Sequence, residues 1–181
     1  MVKYRKDTDE KESFGTSSAA WRTCSISKEA LRPPVVACRL GRLYNKESII
    51  SYLLQRKSKR IRGLSHIKSL KDVFPVHLTP NPVQENDNRL KIQDDNIEEL
   101  FPFICPISRK EMNGKIRFNF HTECGCVLSE SAQKSVPSEN CLNCGKIVQS
   151  SNIIPIHASG EEQAGLKASL NERPKKRLCA K

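Results

Sequence analysis

Two tight cysteine pairs, Cys124-Gly-Cys126 and Cys141-Leu-Asn-Cys144, constrain this chain more than any other feature. Thiols one or two residues apart can turn both sulfurs toward one ion, and two such pairs complete a tetrahedron. Fourteen residues separate the pairs, within the span of a structural zinc site. Metal-bound thiols lose their protons, so folding and metal binding become one event. The spacing therefore predicts one structural Zn2+ on Cys124, Cys126, Cys141 and Cys144. Cys105, in Cys105-Pro-Ile-Ser108, is an additional candidate ligand, and His121, shortly before the first pair, is the obvious substitute. Two other readings compete. Cysteine is often plain buried core, and eight cysteines is an even number that a disulfide framework could use. The opening Met1-Val-Lys-Tyr-Arg-Lys is charged, without the apolar run of a signal peptide, so reducing surroundings and metal are expected.

Charge divides the chain into segments. The formal net charge is +11. Residues 21–79 carry 13 Lys/Arg against three Asp/Glu, a net +10, while residues 80–100 carry two against six, a net −4. Residues 101–157 stand at +2 and residues 158–181 at +3. Residues 1–20 bury too little to order themselves and are expected to be disordered. The acidic, Pro-punctuated 80–100 reads as a linker, and 158–181 as a polar, basic tail. No run of 18 apolar residues exists, so no membrane span or membrane partner is expected.

Within 21–79 the order is loop, strands, helix, loop. Val35-Val36 suit a strand, Gly41 fits a hairpin turn, and Asn45 is an expected side-chain N-cap. Ile49, Ile50, Leu53 and Leu54 recur at helical spacing and predict the buried face of the helix that follows. This order resembles a RING or U-box domain, whose four ligand pairs interleave on two metals. Here the pairs fall at Cys24/Ser27, Leu40/Arg42, Asn45/Ser48 and His66/Ser69, with one thiol in eight positions. Such a unit resembles a metal-free U-box, with Cys24 and Cys38 buried and His66 a hydrogen-bonded structural histidine. Residues 101–157 repeat the scheme at Cys105/Ser108, Cys124/Cys126, Ser129/Ala132 and Cys141/Cys144. Only the second and fourth pairs are intact, so one metal site survives. Ile153-Ile-Pro-Ile156 reads as a closing strand with His157 solvated at its edge. The fold class expected is α+β: two small RING/U-box-like units of a short β-hairpin plus a helix, the second with one structural zinc, flanked by disordered ends.

Longer strings sharpen the resemblance. Pro34-Val-Val-Ala-Cys38-Arg-Leu-Gly-Arg-Leu-Tyr-Asn-Lys46, Ser65-His-Ile-Lys-Ser-Leu-Lys-Asp-Val73, Phe103-Ile-Cys-Pro-Ile and Glu111-Met-Asn-Gly114 resemble the replication termination factor 2 family over residues 21–157. The resemblance implies a RING-related zinc finger with Cys105, Cys124, Cys126, Cys141 and Cys144 on its metal-binding pattern. It also implies a nuclear protein acting where replication forks pause and terminate at barriers, in the elongating replisome, and in some organisms in pre-mRNA splicing. The sequence departs from the family's pattern at both ends: the Gly-rich, basic start is missing and the long Lys-rich tail is cut to about two dozen residues, so interactions carried by that tail are not implied here.

Function classes narrow accordingly. The sequence holds no Gly-rich phosphate loop, no open metal-water position and no nucleophile beside a base, which favours a nuclear adaptor or scaffold over an enzyme. RING and U-box ligases hold a ubiquitin-conjugating enzyme through an apolar residue between the first two ligand positions and a cation after the last. Ile26 and Ile107 stand at the first place, and Lys146 stands one residue past the second, so a ubiquitin or ubiquitin-like ligase is the alternative. The basic run Arg56, Lys57, Lys59, Arg60 and Arg62 is a candidate for non-specific nucleic-acid contact, against the plainer reading of a solvated surface. Pro174-Lys-Lys-Arg177 suits a nuclear import signal or a non-specific nucleic-acid contact. Expected partners are thus nuclear proteins of the replisome or spliceosome, a conjugating enzyme, and nucleic acid.

Overall fold

The computed structural model describes residues 18–56, 61, 63–82 and 101–172. Lys57, Lys59, Arg60 and Arg62, most of the acidic linker, and the Pro-Lys-Lys-Arg cluster lie outside the described residues.

Each unit is a three-stranded antiparallel sheet with one helix after its central hairpin. In the first, β1 (Val35–Cys38) pairs with β2 (Leu43–Asn45), helix α1 (Lys46–Gln55) follows, and β3 (Val73–Val76) closes on the other edge of β1. Register runs Val36 opposite Tyr44 and Pro75. All four residues of β1 are buried, which suits its continuous Val-Val-Ala-Cys run better than an alternating one. A two-stranded link, β4 (Thr79–Pro80) with β5 (Phe103–Ile104), ties the units together. In the second unit β6 (Phe118–His121) pairs with β7 (Val127–Ser129), helix α2 (Glu130–Ser135) follows, and β8 (Ile153–Pro155) closes on β6.

Several expectations change on contact with this fold. The buried face of α1 is Ile49 and Tyr52, with Leu53 partly buried; Leu54 is 79% exposed and Ile50 lies at the surface. Tyr52 wins its place because its hydroxyl reaches the Leu64 carbonyl at 3.2 Å while the ring fills the core. Asn45 stands at the N-cap, but its side chain does not cap. It instead accepts from the Arg32 amide and donates to the Ala30 carbonyl, both at 3.0 Å, pinning the preceding loop. His66 is half-buried with Nε2 lacking a hydrogen-bond partner. Burial and the nearby Arg42 charge hold its pKa below the usual histidine value.

Ordered structure also continues past residue 157. Residues read as polar tail form α3 (Gly160–Glu172), whose Leu166 and Leu170, one turn apart, pack partly buried against the core. Arg117 of the second unit holds Glu162 in its first turn. His157 is buried, not solvated, with its ring 4.9 Å from that of Trp21.

The two units share one hydrophobic core that includes Trp21, Tyr44 and Ile49 from the first and Phe118, Phe120 and Leu128 from the second. Trp21 meets Phe118 edge-on at 6.0 Å, and Phe74 lies 6.3 Å from Phe120. Segments at +10 and +2 thus meet through apolar faces that their charge difference does not reveal.

Candidate metal centre

The same short loop occurs three times. In Cys24-Ser-Ile-Ser-Lys28, Cys105-Pro-Ile-Ser-Arg109 and Cys141-Leu-Asn-Cys-Gly145, the amide of the fifth residue donates to the first cysteine's carbonyl, at 2.9, 3.0 and 2.8 Å. Each cysteine amide donates to the carbonyl five residues on, at 2.8, 2.8 and 2.7 Å. The fifth residue has positive φ each time, 61°, 56° and 72°. An isolated antiparallel bridge closes each loop: Thr23 with Ala30, Ile104 with Glu111, Asn140 with Ile147. Turned this way, the loop presents its first and fourth side chains toward one point. Only the third copy has cysteine at both.

There the four sulfurs of Cys124, Cys126, Cys141 and Cys144 all lie within 4.8 Å of one another. Four sulfurs around an ion at about 2.3 Å would stand about 3.8 Å apart, so a small contraction completes a tetrahedron. The donors fit a metal ion that takes four sulfur ligands. Burial pushes the Cys124 thiol up to about 12 and raises Cys126, whereas the Lys146 amide lowers exposed Cys144. Sulfurs this close resist shared ionisation until a cation neutralises them, so proton release would accompany metal binding.

The surroundings are organised too. Asn119 donates to the Gln133 carbonyl oxygen at 2.9 Å, and the Gln133 amide contacts His121 Nε2 at 2.7 Å. That amide can only donate, which leaves the imidazole proton on Nδ1, 3.6 Å from the Cys124 sulfur. His121 is therefore a hydrogen-bond neighbour of Cys124 and not a member of the four-sulfur cluster. Asn143 donates to the Cys126 sulfur at 3.4 Å. Sequence reading missed Asn119, Gln133 and Asn143; polar residues on strand, helix and loop carry no local signal of converging on sulfur.

Cys105 also stands outside the cluster. Its sulfur accepts from the amides of Ser108 and Ser129, both at 3.4 Å, and the Ser108 and Ser129 hydroxyls meet at 2.8 Å. Those residues occupy the first and third ligand-pair positions, so a hydrogen-bond network fills the place of a second metal. Burial alone would raise the Cys105 pKa, but hydrogen bonds from both serines lower it to about 7. Cys24 is the counterpart in the first unit, accepting from the Asn45 amide at 3.4 Å.

The remaining predicted residues do not converge. Ile26 is partly buried against the core, while Ile107 is 43% exposed at the tip of the second loop and Lys146 is exposed on the third. Arg56 spends one guanidinium nitrogen on the Lys68 carbonyl at 3.0 Å. Among the described residues no helix is long and apolar enough to cross a membrane.

Comparison with known proteins agrees with this architecture. The chain is 40% identical to bovine "Replication termination factor 2" over 185 aligned residues, covering 100% of this chain and 60% of the relative. The human protein of the same name is 40% identical over 177 residues, covering 96% and 58%, and the chicken one 41% over 159, covering 86% and 52%. This chain thus spans about three-fifths of the length of the curated mammalian relatives it matches. The family model described as Rtf2 RING-finger matches residues 1–181. With one four-sulfur cluster, one hydrogen-bonded counterpart and a match across its whole length, the chain belongs to the Rtf2 RING-finger family.

Proposed function

We propose that the chain is a zinc-stabilised nuclear adaptor that acts in the termination of DNA replication, where forks pause at barriers. The observation that carries it is the closed four-sulfur cluster. All-thiolate tetrahedra suit Zn2+, and a shell with no open position serves structure and leaves no site for metal-bound water. The role in replication comes from the name of the relatives, which share 40% of residues with this chain. Zinc then holds rigid loops on which replisome proteins dock. A cavity of about 250 Å³ beside these loops, lined by Leu128, Val136, Leu142 and Ile153 among others, offers an apolar place for such contacts. Arg56, Lys57, Lys59, Arg60 and Arg62 would add salt-sensitive phosphate contacts. The test is rescue of fork pausing at a defined barrier in cells lacking the endogenous protein. The wild-type chain should restore pausing and Cys141→Ser should not; a splicing defect with normal pausing would assign the spliceosome instead.

A second reading, a RING-type ubiquitin or ubiquitin-like ligase, is favoured by one observation: Ile107 is exposed at a loop tip. Autoubiquitination across a panel of conjugating enzymes, lost on Ile107→Ala, would support it. Silence across the panel leaves the adaptor.

A further inference from the structure

The two units grip each other through matched parts. Gly125, between ligands Cys124 and Cys126, has φ +73° and accepts the His77 amide at 2.8 Å. A Cβ on Gly125 would stand 2.5 Å from the Pro75 carbonyl oxygen and 3.0 Å from the His77 ring. The arrangement is reciprocated. Gly41, also at φ +73°, accepts the His157 amide at 3.0 Å and has no room for a Cβ against the Pro155 carbonyl. Thus Phe74-Pro-Val-His77 closes the first sheet and docks on the second unit's hairpin turn, while Ile154-Pro-Ile-His157 does the reverse. This is an isologous interface within one chain. It is asymmetric in one respect: only the second turn carries sulfur ligands on both sides of its glycine.

We propose that Pro75 and His77 of the metal-free unit are positioning residues for the zinc-ligand loop, so that metal binding and the order of β3 are coupled. The inference rests on the zinc reading above. The loop Cys124-Gly-Cys126 is held from its own side by the His121 amide, which donates to the Cys126 carbonyl at 3.1 Å, and by the Gly125 amide, which donates to the His121 carbonyl at 2.8 Å. From the other side it is held by β3. Residues 76–78 also run parallel to this loop, with a bridge between His77 and Cys126. An ion on Cys124 and Cys126 would add a further restraint on the same loop, so taking away either the ion or β3 loosens what the other holds. Coupling of two equilibria is reciprocal, so the loss of either must weaken the other to the same extent.

The experiment uses the full chain purified with its metal. Metal content is measured first, then hydrogen exchange with and without excess chelator, then competition for Zn2+ by a chromogenic chelator in the wild type and His77→Pro. That substitution removes the donor to Gly125 while leaving every ligand in place. Expected are faster exchange at residues 73–78 on metal removal, alongside 118–129, and Zn2+ affinity at least about tenfold weaker in His77→Pro, the scale of outer-shell losses. Exchange changes confined to 101–157 would overturn the coupling while leaving the zinc site intact, and wild-type exchange decides this even if His77→Pro does not fold. A chain without zinc, giving no thiolate charge-transfer band with Co2+, would overturn the metal reading and this inference together.

Discussion

The amide of Ser129 donates to the sulfur of Cys105 at 3.4 Å, and the Ser129 hydroxyl then meets Ser108 at 2.8 Å, Ser131 at 3.2 Å and the Ala132 amide at 3.3 Å. One fully buried serine thus joins the Cys105 loop to α2, the kind of cross-link a metal ion would supply at the neighbouring four-sulfur cluster. Replacing Ser129 with Ala removes the N-cap acceptor and leaves buried polar groups unpaired, at a cost of about 1–2 kcal/mol. Urea denaturation of the zinc-loaded chain should show that loss with metal content unchanged.

Metal analysis is expected to give one zinc per chain. Cys124→Ser or Cys141→Ser should abolish it, whereas Cys105→Ser should not. Binding in small zinc modules is worth about 10–16 kcal/mol, comparable to or larger than the whole stability of a domain this size. Because both units share one core, loss of zinc should disorder more than residues 101–157, which circular dichroism during chelation will follow.

The outer hydrogen bonds should be felt at the metal. Gln133→Leu removes the donor that fixes the His121 tautomer and strands Asn119, so the proton facing Cys124 is no longer specified. Zinc affinity should fall roughly tenfold, within the usual range for such partners. Competition with a chelator measures it, and unchanged affinity would show that the chain of contacts does not reach the ion.

Acid should act on His157. Burial first, then the Arg42 charge, depress its pKa to about 4 from an ordinary 6.5, despite a hydrogen bond with the Ala20 backbone. The unfolded chain therefore binds the proton more readily. Stability from this group is complete above pH 6.5 and is lost as pH falls toward 4, by up to about 3 kcal/mol. His157→Asn suits the positive φ of 49° and should flatten stability between pH 5 and 7 relative to wild type. An unaltered slope would assign the acid sensitivity to the thiolates.

Local spacing carries what the sequence determined alone. The three cysteine loops close within six residues, so their pattern, the surviving pairs and the vacant first and third positions are all written in short strings. The hairpin around Gly41 and its repeat around Gly125 are equally local, as is the closing strand at Ile153. Where propensity competed with packing, local reading failed: Leu54 completes a helical stripe but meets no core, while Tyr52 beside it does. Leu166 and Leu170 look like scattered residues in a polar tail until a core exists for them to cover.

Only the tertiary structure decided that His157 is buried, that Asn119 and Gln133 stand behind His121 and the four-sulfur cluster, and that Pro75 presses on Gly125. Each of these joins residues far apart in the chain or turns a polar side chain in a direction no periodicity specifies. A tetrahedral clasp can be recognised from the spacing of its thiols, because two ligands on one short loop share a backbone geometry. The partner strand that braces the clasp cannot, because its contact is made by a carbonyl and an amide, groups that every residue but proline supplies alike.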